Sequence, residues 1–341
     1  MTQVELLQDG EAWDGYVASH PAAHNYHRWR WRQVIQETYG HKPYYLGASQ
    51  DGSLKGVLPL FSIRSRLFGN SLVSVPFFTY GGLLASSTEA RDALLTRSGE
   101  LAREVGARHI ELRQGDELET EWGRTTAKVT MGIPLPATAE ELWKRFSTGH
   151  RNKIRKSQKS GFRIQWGGGE AVNDFYRVFA ANMRNLGTPV YPRKWFEKIC
   201  EHCPGEIKIL TLWDGNRIAA AAFLSAYRDT LELPWSGSLP DTRKQYSHYL
   251  LYWTFLEWAI ENKFQWMDVG RCNPGSGTYE FKKHWECEER PLNWYYWLAP
   301  GTELPTVNTD NPRFQLAIRM WRRLPLAIAN QLGPRVVRAL P

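Results

Sequence analysis

Between Asp268 and Trp285 the chain reads DVGRCNPGSGTYEFKKHW. An acid (Asp268), a guanidinium (Arg271), a phenol (Tyr279) and two ammonium groups (Lys282, Lys283) enter a turn whose backbone is freed by Gly270, Gly275 and Gly277. The apolar run from Phe264 to Val269 leads into it, so the pattern is a strand delivering charged side chains to a glycine-permitted turn, where α/β proteins place sites. Arg271 can grip a phosphate with two parallel bonds and Tyr279 can donate to the same group. Asp268 fits two roles: removing a proton from an amine nucleophile, or holding Arg271 as an ion-pair partner, the one favoured. Lys282 and Lys283, read as strand neighbours, point to opposite faces, so one of them faces the site. The same residue types also fit a solvated surface hairpin, so the rest of the chain has to decide.

The whole chain has 341 residues, room for two domains and a generous core. Hydrophobic residues at 42% and charged ones at 23% exclude a disordered or fibrous chain. The 16 Trp suit a wide groove as well as core packing. Eight Lys or Arg and no acid lie between Leu142 and Gly169, and six Arg and no acid follow Asp310. These fourteen charges exceed the net charge of +8, so the remainder is a mildly acidic body carrying two basic patches. Such patches imply phosphate-bearing partners: nucleic acid, nucleotide-linked substrates or anionic lipid.

Four cysteines (200, 203, 272, 287) make no disulfide framework. Cys200-x-x-Cys203 encloses His202 but has no second ligand pair nearby, which argues against a metal. With no charged-then-apolar leader and no apolar run near the ~18 residues of a membrane span, the expectation is a cytoplasmic, reduced protein.

The elements repeat. Residues 28–39 form a helix with Trp31, Ile35 and Tyr39 on one side, stopped by Gly40. Two strand-like runs follow around Asp51-Gly52, then LVSVPFFTYGG, a helix over 88–105 with Thr88 as N-cap, and the strand HIELRQ. From residue 207 the order returns: strand, Asp214-Gly215 turn, strand, LELPWSGSLPD, the helix YLLYWTFLEWAIEN, and the strand FQWMDVG. The two turns lie 163 residues apart and the final-strand acids Glu111 and Asp268 lie 157 apart, so one α/β unit is used twice.

Between the halves, AEELWKRFSTGHRNKIRKSQKSGF reads as one basic helix with Leu142, Phe146, Ile154 and Phe162 on a narrow apolar stripe. With no acid from Leu142 onward, it favours binding over a solvated face and singles out Arg151, Lys153, Arg155 and Lys156 for phosphate or RNA. From Asn311 onward, Phe314, Ile318, Trp321, Leu324 and Ile328 alternate with arginines, interrupted by Pro325 and ended by Gly333-Pro334. This basic amphipathic tail suits a membrane interface and suits docking on its own protein equally well.

Several segments together resemble the FemAB-like proteins: YGHKPYYL, LFGNSLVSVPFFTYGG (67–82), NKIRKSQKSGF, NMRNLGTPVYP (182–192), VGRCNPGSGTYEFKKHWECEERPLNWYY and LGPRVVRALP. Within that family the chain is most similar to the members that accompany XrtA/PEP-CTERM exosortase and exopolysaccharide loci. The resemblance implies tandem units of the GNAT fold, mixed sheets flanked by helices, divided as 1–136, 137–300 and a tail at 301–341. It implies transfer of an aminoacyl or acyl group to an amine of a cell-envelope or exopolysaccharide precursor. In the family motif the Lys of Phe-Lys stabilises the oxyanion, which falls on Lys282, with Lys283 as competitor.

Trp235, Ser236 and Tyr246 stand where the second unit's strands would part, and Tyr80 at the corresponding place in the first. For Trp235 core packing is the favoured reading, by its size. Asn182, Thr188 and Tyr191 are expected in a loop over the cleft, and His248 is expected to be structural. Acetyl-CoA enzymes of this fold cradle pyrophosphate with a Q/R-x-x-G-x-G/A loop. No such loop follows a strand here, which argues against acetyl-CoA and leaves a charged tRNA or another acyl-CoA as the donor. No tightly bound cofactor and no DNA partner are expected. An acetyl-CoA-dependent sugar N-acetyltransferase, and a non-catalytic protein holding RNA or a lipid-linked glycan at the inner membrane, are the competing readings.

Overall fold

The computed structural model describes residues 1–65, 69–304 and 312–340, with the side chains of Pro312, Arg313 and Phe314 outside the described residues. In chain order the first elements are β1 (Gln3–Leu6), α1 (Gly10–Ser19), α2 (Arg30–Tyr39), β2 (Lys42–Gln50), β3 (Ser53–Ser65), β4 (Gly69–Val73), β5 (Leu84–Ala85), α3 (Thr88–Glu104), β6 (His109–Gln114) and β7 (Gly123–Thr125). Then come β8 (Val129–Pro134), α4 (Ala139–Arg145), α5 (Thr148–Gln158), β9 (Arg163–Gly167), α6 (Val172–Leu186), α7 (Arg193–His202), β10 (Ile207–Asp214), β11 (Arg217–Tyr227), β12 (Thr230–Ser238) and α8 (Ser247–Glu261). The last are β13 (Trp266–Cys272), α9 (Gly277–Lys283), β14 (Glu288–Pro291), β15 (Asn293–Leu298), α10 (Pro312–Arg323) and α11 (Leu326–Val337).

These elements make two units, each a mixed sheet flanked by helices. One takes Met1–Ala127, Pro291–Val307 and Arg338–Pro341; the other takes Lys128–Arg290 and Asn308–Val337. The divisions expected at 136 and 300 thus fall elsewhere. β8 pairs with β13 in the second sheet, and β15 returns to pair with β6 and β7 in the first.

The first sheet runs β1-β2-β3-β4-β6-β15-β7, with β5 beside β3. Its β2–β3 hairpin turns at Asp51-Gly52, both with positive φ, as the turn residues require. α3 packs Leu94, Leu95, Leu101 and Ala102 into the core, and its N-cap is Ser87, whose hydroxyl accepts from the Ala90 N–H, one residue before the Thr88 expected. β4 and β6 run parallel for three rungs, ending at Val73 opposite Glu111, and part beyond.

The second sheet runs β14-β8-β13-β12-β11-β10-β9. α8 is apolar nearly all round and lies in the core between β11-side residues such as Ala220 and Leu224 and, on the other side, Leu142 of α4, Phe146 after it and Ile154 of α5. The single basic helix expected over this region is two helices. Phe146 leaves helical geometry, and Ser147 caps a new start by accepting from the His150 N–H. Phe162 lies beyond α5, half-buried. The tail is likewise two helices: Leu324–Pro325 breaks it, as expected. Gly333-Pro334 does not end it, because Gly333 lets α11 pass so near Val190 that a Cβ would sit 2.8 Å from its backbone nitrogen.

Candidate functional site

β12 and β13 repeat the arrangement of β4 and β6. They are parallel over Thr230–Glu232 against Trp266–Asp268 and pair no further. At that point β13 carries an extra residue relative to β8: Asp268 faces Gly132, yet Arg271 already faces Thr130. Gly270 takes up the bulge at φ +80, a conformation that side chains disfavour. The Asp268 carboxylate holds it, accepting from the Gly270 N–H at 2.6 Å and the Thr130 hydroxyl at 3.2 Å.

The segment after the glycines is a helix, not the strand expected. Ser276 caps α9 by accepting from the Tyr279 N–H at 3.2 Å, and Glu280, Phe281, Lys282 and Lys283 extend it. Successive helical residues point about 100° apart, less than in a strand but enough to part the two lysines. Lys282 is buried, 4% exposed, and Lys283 is on the surface above the Tyr279 ring. The Lys282 Nζ donates to the Gly270 carbonyl at 2.7 Å and to the Arg271 carbonyl at 3.3 Å. An ammonium has three N–H bonds, so the bulge engages two of them. Burial pulls the Lys282 pKa below the usual lysine value, against the upward influence of Cys272, Asp268 and Cys287. Burial pushes the Cys287 thiol up to about 12, with Lys282 opposing.

α9 rests on the start of α8 and on α5. Phe281 meets His248 and Tyr249, with centroids 5.2 and 5.7 Å away, and the buried Trp285 stands edge-on to His150 at 4.4 Å. Lys153 of α5 donates to the Tyr249 hydroxyl at 3.2 Å. Tyr246, at φ 58, turns the chain into α8, and the Thr242 and Ser247 hydroxyls meet at 3.0 Å beside it. Burial, then Arg243 and Lys153, hold the His248 pKa down to about 4. The glycine motif, the basic helix and the N-terminal end of α8 therefore form one neighbourhood. Its positive charge and the outward N–H groups of a helix start suit a phosphate.

Lys282, Asp268, Lys153 and Tyr246 are thus brought together. Arg271 is half-buried on the bulge, its carbonyl bound by Lys282. The Tyr279 hydroxyl instead donates to the Glu289 carboxylate, which drives its pKa up to about 12; an acid beside it opposes the phosphate role expected. Arg155 lies over the Trp143 ring and Lys156 is exposed, while Arg151 is half-buried.

Trp235 is core. A bulge between β11 and β12 reverses the alternation, setting Trp235 opposite Phe223 among Tyr191, Trp195 and Phe196. Ser236 pairs with Ala222, whose side chain belongs to the α8 core, so it falls on the other face. Asn182 lies in helix α6, not in a loop, and fills the space left open by Gly237, where a Cβ would be 3.0 Å from its own Cβ. Tyr191 does follow α6 in an irregular segment but packs into the Trp235 cluster. Tyr80, in the first unit, is buried against His24 with stacked rings 4.1 Å apart.

Sequence reasoning missed Arg243 and Lys244. They precede Tyr246-Ser247 in the turn between β12 and α8, and Arg243 donates to the Asn182 side chain at 3.4 Å. Two cations between a strand and a long helix were the available signal.

Residues 144–283 match the family model described as an acetyltransferase (GNAT) domain. Together with the two splayed mixed sheets, this shows a tandem GNAT-like fold with an acetyltransferase (GNAT) domain over those residues. The crystal structure of FemX is similar over 93% of this chain and 100% of that one, at TM-score 0.66 and 14% identity. A tandem GNAT protein from the clavulanic acid biosynthesis pathway is similar over 89% and 100%, at 0.58 and 11%. The structure of L-PGS from Bacillus licheniformis is similar over 93% and 97%, at 0.54 and 10%. At such identities the likeness is one of fold. No curated protein matches the sequence.

Proposed function

We propose that the chain transfers an aminoacyl or acyl group from a phosphate-bearing donor directly to an amine of a cell-envelope or exopolysaccharide precursor. The observation that carries this reading is the buried Lys282 Nζ, fixed on the bulge of a splayed strand with one N–H beyond those engaged by the two carbonyls. The amine attacks the donor carbonyl, the tetrahedral oxygen takes up the negative charge, and the third N–H of Lys282 stabilises it. Collapse restores the carbonyl and releases the donor's hydroxyl or thiol, while the amine proton leaves through water. Asp268 is a positioning residue: it holds the Gly270 N–H and so the carbonyls that fix Lys282.

Arg243, Lys244, Lys153 and the start of α8 supply the donor's phosphate site, with Arg151, Arg155 and Lys156 extending the positive surface along α5. A charged tRNA fits a surface that is basic along a whole helix. A second reading, transfer from acetyl-CoA, is favoured by the phosphate-compatible start of α8 beside the parted strands. A donor screen separates them: protection against thermal unfolding by acetyl-CoA, longer acyl-CoAs and charged tRNAs. A donor at a hundred times its Kd adds about 2.7 kcal/mol of stability. Protection by charged tRNA that falls steeply with salt supports the first reading. Protection by acyl-CoA alone supports the second, and protection by neither defeats the phosphate-donor reading.

A further inference from the structure

The two tail helices bury one side and leave the other bare. Toward α6, Ile318 of α10 lies against Gly187, Arg184 donates to the Arg322 carbonyl, and Arg322 donates to the Leu186 carbonyl. In α11, Ala329, Gly333 and Val337 are buried. Several of the outward positions are large and apolar. Leu316 and Met320, one turn apart on α10, are 56% and 63% exposed; Ile328, Leu332 and Val336, at the same spacing on α11, are 43%, 38% and 39% exposed. These five are most of the large hydrophobic side chains exposed among the described residues. Arg319, Arg323 and Arg335 are exposed on the same helices, and no acid occurs from 312 to 340.

We propose that this face of α10 and α11 lies on an anionic phospholipid surface. Apolar side chains at one-turn spacing, with arginine as their only charged company, combine the two attractions that seat a helix in the headgroup region. No helix among the described residues is long and apolar enough to cross a membrane, so the contact is a surface one. A second copy of the chain is the poorer occupant. A two-fold interface would set this acid-free surface against itself and bring arginine to arginine. The tail therefore does both things its sequence allowed, docking on its own body by one side and presenting the other.

The test is flotation of the full chain with phosphatidylcholine vesicles, with and without phosphatidylglycerol. Binding is expected only with phosphatidylglycerol, weakening about fivefold for each of Arg319→Gln and Arg323→Gln. It should be lost in Ile328→Gln/Leu332→Gln and in Leu316→Gln/Met320→Gln. These side chains are exposed, so circular dichroism and Tm should stay at wild-type values and confirm that the fold is intact. Failure of the wild type to float, or equal flotation of the glutamine variants, overturns the proposal. So does a dimer in light scattering that Leu332→Gln dissociates, which would assign the face to a second copy.

Discussion

Glu111 and Asp268 hold the same place in their two sheets: each is the last β-residue of a three-rung parallel ladder, opposite Val73 and Glu232 respectively. Their partners differ. Glu111 is bridged at 2.7 Å by Arg113, two residues on, and accepts from the Tyr296 hydroxyl. Arg113 also donates to the Phe78 carbonyl at 2.7 Å. In the second unit the acid is spent on a backbone bulge, and the cation arrives from a separate helix as Lys282. The two units share the geometry of the parted strands, while the first seals its acid with a strand-borne guanidinium.

The seal should be costly to break from one side. Both side chains of the Glu111–Arg113 pair are nearly inaccessible, and burial alone would push the Glu111 carboxyl up; Arg113 and Tyr296 more than reverse this. Arg113→Met should cost about 3–5 kcal/mol by leaving a lone buried charge. Glu111→Gln/Arg113→Met should cost less than Arg113→Met alone. Urea titration of the three proteins checks the order, and equal costs for both variants would refute it.

Lys282→Met should remove turnover, a loss of about 2.7–4 kcal/mol of transition-state stabilisation, with donor affinity nearly kept. It also strips a donor from the Gly270 and Arg271 carbonyls, so stability should fall by about 1–3 kcal/mol. Lys283→Met should change neither. Single-turnover rates and denaturation midpoints, read together, separate the two effects, and full activity in Lys282→Met would remove this lysine from the chemistry.

Glu257, half-buried on α8, has its pKa raised to about 7 by burial, with Glu261 adding to the rise and Trp253 opposing it. A raised carboxyl favours the fold below its unfolded value near 4.5, and that contribution is lost as pH climbs through 7. Glu257→Gln should therefore raise Tm at pH 8 and leave it nearly unchanged at pH 4.5. A gain of equal size at both values would show that ionisation is not the cause.

His150 behaves in the opposite sense. Both ring nitrogens are buried with no hydrogen-bond partner among the described residues, and burial, then His284 and Lys153, lower its pKa to about 4. Its neutral form supports the fold above pH 6.5, and that support drains away as pH falls from 6.5 towards 4. His150→Phe, surrounded by Phe146, Tyr249 and Trp285, should flatten the fall of stability across that window. An unchanged acid limb in the variant would count against it.

The repeat was legible because Asp51-Gly52 and Asp214-Gly215 carry turn chemistry that depends on local backbone alone. Lys282 was legible as a residue but not in its setting. EFKKH alternates weakly enough to pass for a strand, and only the Ser276 cap and the packing of Phe281 and Trp285 on α8 decide for a helix. Trp235 was legible as core by its size, but its face was not. A bulge shifts every later side chain to the opposite face, and nothing in LELPWSGS marks where the extra residue falls. The Phe146–Ser147 break was readable in principle, since a serine three residues before His150 is a helix start inside a helical pattern.

The strand β15 pairs with β6 and β7, although about 180 residues separate the end of β6 from its own beginning. On a ribosome, at ~5–20 residues per second, the first sheet must then wait roughly 10–40 s for its missing strand. During that interval the apolar edge of β6 is open while the whole second sheet emerges. The later half of the chain can close its own β8–β13 ladder first, so the order of folding should run against the order of synthesis. A nascent chain stalled before Asn293 should be cleaved by protease within residues 1–127, and one stalled well beyond Leu298 should resist.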